Sequence, residues 1–209
     1  MRKLLYRYIL LILTLVTVAP ATADFKTVLT HLPKGGMLKA KFTQKRYLSG
    51  IPQPIKSTGN IVLWNGKGLL WNTVEPFANT ILLTAQGIFQ VEDGQKTSLT
   101  ANQSNHNQKV LLDLISHILN GSFEDIEQFK VEPLAVSTPS QWKVRLLPPQ
   151  NIKSFISSII VEGGNYITGI TINRPNADKD EITLTQHTLI NSQDVNKVIN
   201  APMRRLFNE

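Results

Sequence analysis

Four histidines and a few clustered carboxylates are the residues of this chain able to hold a metal or move a proton near neutral pH, so their spacing is the first question. His31, His106, His117 and His187 are dispersed along the sequence. The one helical pairing, Asp113 four residues before His117, is what an ordinary surface contact supplies, and it offers too few ligands for a metal. Glu124, Asp125 and Glu127 fall in the first turns of a helix and complement its dipole. Asp178, Asp180 and Glu181 surround Lys179 in a hairpin turn, and they lack the ligand order of a calcium loop. The chain has no Gly-x-Ser-x-Gly elbow, no His-Glu-x-x-His helix, no phosphate-cradling glycine loop and no cysteine. The expectation is a non-enzymatic protein with no catalytic residues, no metal site and no cofactor.

Basic residues mark an export signal. Arg2, Lys3 and Arg7 precede an apolar run from Ile9 to Val18, Pro20 breaks the helix, and Ala21-Thr22-Ala23 presents small side chains to a signal peptidase. Cleavage is placed between Ala23 and Asp24, because a run of about ten apolar residues falls well short of a membrane span. Residues 1–23 are thus read as a signal peptide and 24–209 as one domain. The three basic residues of the signal account for part of the formal charge of +7 and leave the mature chain near +4. That mild excess is scattered, which argues against a nucleic-acid partner. Its densest part is Lys39, Lys41, Lys45 and Arg46, read as a solvated strand face with acidic lipid headgroups or a docking partner as the alternative.

The elements that must position these residues are mostly strands. Leu38, Ala40 and Phe42 alternate with Lys39, Lys41 and Thr43. Ile61–Trp64 and Leu69–Trp71 flank Asn65-Gly66 as a hairpin with a tight turn, and two more strand pairs turn at Gln86-Gly87 and Asp93-Gly94. A polar loop, Ala101–Gln108, leads into a helix, Lys109–Asn120, and a capping box at Ser122 opens another short helix to about Phe129. A short helix is also expected at Asp24–His31. Strands resume at 131–136, 141–147, 157–161, 166–173 and 182–189, the last element assigned. The predicted fold is mainly β with α: an incomplete, curved antiparallel barrel of about eleven strands covered by a few helices.

Several of these strands are apolar on both faces, Ile61–Trp64 and Ile81–Leu83 among them, and both faces of such a strand must be covered or line a cavity. One reading is an ordinary core beneath a packed helix. The other is a hydrophobic groove walled by Phe42, Leu63, Trp71, Leu83, Phe89, Trp142 and Val144, with the helical stripe Leu111, Leu114, Ile115 and Ile118 as a lid that admits acyl chains.

The order Phe42-x-Gln44, Ser57-Thr58-Gly59, Leu70-Trp71 with Glu75-Pro76, and Leu83 to Gly87 resembles the periplasmic outer-membrane lipoprotein carrier (LolA-like) family across most of the mature chain. The resemblance implies an apolar cavity that carries acyl chains of lipoproteins or another amphiphile through the periplasm of a Gram-negative bacterium. It implies an inner-membrane donor complex or exporter and an outer-membrane acceptor as partners, with the carrier a monomer. The best-studied branch has an Arg-Pro pair in the first hairpin whose arginine helps control opening. Asn65-Gly66-Lys67-Gly68 stands there instead, leaving Lys67 as the basic residue for gating and pointing to a divergent branch with other lipidic cargo. The competing expectation is a non-catalytic periplasmic sensor or adaptor that partners a membrane exporter.

Overall fold

Period-two alternation becomes eleven strands: β1 (Met37–Tyr47), β2 (Ile55–Trp64), β3 (Gly68–Glu75), β4 (Asn79–Thr84), β5 (Gly87–Glu92), β6 (Gln95–Ser98), β7 (Lys130–Pro133), β8 (Trp142–Leu147), β9 (Ser158–Gly163), β10 (Ile167–Asn173) and β11 (Lys179–Ile190). The structure, a computed structural model, describes residues 35–99, 103–120, 128–138 and 140–208. The signal segment, the helix expected at Asp24–His31 and the capping box at Ser122 lie outside the described residues.

All eleven strands form one antiparallel sheet in the order β6-β5-β4-β3-β2-β1-β11-β10-β9-β8-β7. Two meanders, one from each half of the chain, therefore join where β1 pairs with β11. The sheet is curved but open, because the edge strands β6 and β7 do not pair with each other.

The turns follow their residues. Asp93 and Gly94 both have positive φ, 49° and 76°, as a two-residue hairpin of the mirror-image type requires. At Asn65-Gly66 only Gly66 is left-handed, at 72°, and the Lys67 N–H donates to Trp64 O at 2.9 Å. This connection therefore has three residues, Asn65 to Lys67, with Trp64 opposite Gly68, and is looser than the tight turn expected from Asn-Gly.

Helix α1 (Gln103–Asn120) begins six residues before the expected start and absorbs most of the polar segment read as a loop. Its apolar turns pay the nucleation cost, after which each added residue gains a hydrogen bond, enough to carry the helix through Ser and Asn residues of poor helix propensity. Helices α2 (Ser192–Val198) and α3 (Ala201–Asn208) follow β11 and were not expected from the sequence. Pro202 suits a first helical turn, and the Met203 N–H donates to Asn200 Oδ1 at 3.0 Å, so Asn200 caps α3.

The register sorts the apolar residues into two layers. On the front of the sheet one row runs Leu38, Leu63, Leu69, Leu83, Ile88, and the next runs Ala40, Ile61, Trp71, Ile81. On the back, Val62, Leu70, Leu82 and Phe89 form a row beside Met37. Helix α1 covers the front across β2, β3 and β4. Helices α2 and α3 cover the back through Val195, Ile199 and Phe207. Both faces of Ile61–Trp64 and Ile81–Leu83 are thus closed by helices.

Candidate functional site

The larger apolar layer, on the front, is the candidate site. Phe42, Leu63, Trp71, Leu83, Trp142 and Val144 of the predicted groove all lie in it and are buried. Of the predicted lid, Leu114, Ile115 and Ile118 are buried in the same layer, and Leu111 packs half-buried at its margin. Phe89 does not join them. It alternates to the back of β5, half-buried against the layer under α2 and α3, with Lys96 Nζ 5.4 Å from its ring centre. Lys67 is exposed at the β2–β3 turn.

The short motifs spaced along the first half of the chain meet in this layer. Phe42 and Gly59 are cross-strand partners, and a Cβ on Gly59 would lie 2.8 Å from the Phe42 ring and 2.0 Å from Asn72 O. Glycine there lets the Phe42 ring settle over β2 and reach Trp71, with ring centres 4.5 Å apart and planes tilted by 39°. Trp142, on the far half of the sheet, satisfies its indole by donating Nε1–H to Gly164 O at 2.9 Å.

What seats α1 is apolar contact. Leu112, Leu114, Ile115, Ile118 and Leu119 are all buried, while the Lys109–Asp113 ion pair of 2.6 Å is internal to the helix. Asp113 pairs backwards with Lys109, one turn earlier on the same helix. Exposing the five buried side chains to water would cost roughly 10 kcal/mol, about the gain from burying an acyl chain of a dozen methylenes. Dispersion and hydrophobic contact are non-directional, so an acyl chain can replace a leucine stripe with no hydrogen bond to re-form. In the structure the helix fills that space itself. Of the clefts of about 530, 340 and 130 Å³, the smallest touches one predicted groove residue, Trp142, and none is lined by Phe42, Leu63, Trp71, Leu83, Val144 or α1.

Beyond Phe42 the front face turns polar. Asp180, opposite Arg46 in the β1–β11 register, is 1% exposed and accepts from Arg46 Nε at 2.7 Å, Gln44 Nε2 at 2.9 Å and Arg174 Nη2 at 2.8 Å. Burial raises the Asp180 pKa, but hydrogen bonds from Arg46 and Arg174, with the Arg46 charge and Gln44, outweigh it and hold the carboxyl below its ordinary value. Gln44 of the Phe42-x-Gln44 motif is therefore part of a clamp joining the two halves of the sheet. Arg46 and Arg174 also line the 530 Å³ cleft, with Leu48, Phe155 and Asp178. Sequence reading missed this clamp because its members lie 134 and 6 residues apart and only strand pairing joins them.

The carboxylates grouped with Asp180 in sequence diverge in space. Glu181 pairs with Lys179 at 2.6 Å, and Asp178 accepts from the Ser49 N–H at 2.8 Å. Among the described residues no three histidine or carboxylate side chains group to hold a metal. His187 stacks on Tyr166 with ring centres 4.9 Å apart and donates Nε2–H to Ile167 O at 2.8 Å. Burial lowers its pKa, against the opposing pull of that hydrogen bond.

No family model matches this chain, and no curated protein matches it. Among solved structures it is similar to a LolA superfamily protein from Nitrosomonas europaea, with 7% identity, a TM-score of 0.47, and 88% of this chain and 95% of the other covered. It is also similar to MucB, at 7% identity and a TM-score of 0.49, covering 89% of this chain and 65% of MucB. A third structure, a putative outer membrane lipoprotein-sorting protein domain from Vibrio parahaemolyticus, has 9% identity and a TM-score of 0.36, with 82% and 94% covered.

Proposed function

We propose that the mature chain is a periplasmic carrier of acyl chains, exported by residues 1–23 and moving a lipoprotein or another amphiphile between the inner and outer membranes of a Gram-negative bacterium. The observation that carries this reading is the seat of α1: among the described residues one helix lies on this broad apolar sheet face, held by a stripe of Leu and Ile that an acyl chain matches in kind and in energy. The motif order described above, Phe42 to Gly87, supports it, since Phe42, Gly59 and Trp71 come together on that face. In this account Phe42, Leu63, Trp71, Leu83, Trp142 and Val144 receive the chain, and the face of α1 bearing Leu114, Ile115 and Ile118 yields to it. Phe89 has no part in it.

The test is extraction of lipid from protein purified out of the periplasm, followed by mass spectrometry. The expected result is acylated lipid at up to one molecule per protein, released on denaturation. Protein that comes out lipid-free, and takes up no acylated lipid when offered it, rules the carrier out.

A further inference from the structure

Four of the five most exposed large apolar side chains among the described residues lie at one end of the sheet. Ile51 (50% exposed) is in the β1–β2 loop, Ile55 (48%) opens β2, Val74 (50%) is near the end of β3, and Phe77 (83%) is in the β3–β4 turn. Antiparallel order brings them together, because β1 and β3 end where β2 and β4 begin. A phenylalanine left this bare at a turn gains nothing for the fold.

The charge around these residues is also distinctive. Lys45 lies directly across from Lys56, a like-charge pairing that costs the sheet stability, and Arg46 lies opposite Ile55. Arg46 is half-exposed beyond its bond to Asp180. Among the described residues four carboxylates share this end: Asp180 bonds Arg46, Asp178 accepts from the Ser49 N–H in the β1–β2 loop, Glu181 lies opposite Lys45 and pairs with Lys179, and Glu75 Oε2 accepts from Thr58 Oγ1.

We propose that this rim is a membrane-docking surface, with Phe77, Ile51, Ile55 and Val74 entering the interface of an anionic phospholipid bilayer and Lys45 and Lys56 contacting its headgroups. Phe77, Ile51, Ile55 and Val74 stand out singly from turns and strand ends, outside the lining of the 530 Å³ cleft, and a fluid interface accepts such side chains without shape complementarity. An anionic surface also relieves the Lys45–Lys56 repulsion. The 530 Å³ cleft opens among Arg46, Leu48 and Arg174 at this same end, so docking would bring it to the bilayer. The inference goes beyond the carrier reading and does not depend on cargo, since surface docking and acyl extraction are read separately.

The experiment is co-sedimentation of the mature protein with vesicles of phosphatidylethanolamine and phosphatidylglycerol, against vesicles of phosphatidylcholine alone. Wild type is expected to sediment with the anionic vesicles and less with the neutral ones. Phe77→Ser should weaken this about tenfold, and Lys56→Glu several-fold, on anionic vesicles. Both side chains are exposed, so the variants should melt like wild type, and thermal unfolding checks that. Wild type that does not sediment, or a folded Phe77→Ser that sediments equally well, overturns the proposal. Capture of an acidic protein by this rim without vesicle binding overturns it too.

Discussion

Asp180 sits where the two halves of the sheet meet, and its single charge is shared by Arg46 and Arg174. Replacing it by asparagine leaves two guanidinium groups facing a buried site with no counter-charge. The expected cost is about 1–3 kcal/mol, below that of a fully buried pair because both arginines reach solvent. The pH dependence follows from the lowered pKa. The contribution is complete above the ordinary aspartate value of 3.8 and is lost as pH falls from there toward the folded-state pKa. Denaturant unfolding of wild type and Asp180→Asn should therefore differ most near neutrality and converge in acid; a pH-independent difference contradicts the assignment. At this scale the sequence was partly legible. Alternation placed Phe42 on the apolar side of its strand, and Trp71 fell in the apolar run Leu69–Trp71, but nothing local announced that Gly59 makes room for the Phe42 ring or that Gln44 reaches Asp180. Such contacts belong to pairing partners and not to neighbours in sequence.

The helices divide the work between the two faces. Helix α1 was legible because Leu111, Leu114, Ile115 and Ile118 repeat at helical spacing, and only its polar start was misread. Helices α2 and α3 were readable too: Val195, Ile199, Met203, Leu206 and Phe207 recur at intervals of three and four, with Asn191 and Asn200 as starts. With these two helices in place, the second apolar face of Val62, Leu70 and Leu82 has its cover, and Phe89, next to front-facing Ile88 in β5, falls on that face and not in the predicted groove. Trp64 meets Phe207 edge-on with ring centres 5.5 Å apart on that back face. Phe207→Ala should destabilise the protein by about 3 kcal/mol through the void it leaves. Acyl-lipid binding by the folded variant should be unchanged, because the front face is untouched. Loss of binding without loss of fold would show that the two faces are not independent.

The whole molecule is an open sheet with unlike coverings. Among the described residues the back is closed by two helices that follow β11, the strand beside central β1, and the front by one helix seated through apolar contact, with a polar clamp beyond its apolar rows and an exposed apolar rim at that end. An open sheet without a closing strand pair lets α1 move without breaking the ladder of hydrogen bonds that holds the strands. The expected barrel-like curvature is present, while closure falls to the helices. If acyl chains take the place of α1 against the front face, the helix must move as lipid binds. Because the chain has no cysteine, two introduced ones can carry spin labels uniquely, at Lys109 on α1 and at exposed Gln86 in the β4–β5 turn. Pulsed electron–electron distance measurement, with and without a lauroyl lysophospholipid, then reads the position of the helix directly. The predicted result is a distance distribution that lengthens as the lipid binds; lipid bound at saturation with the distribution unchanged would contradict the account.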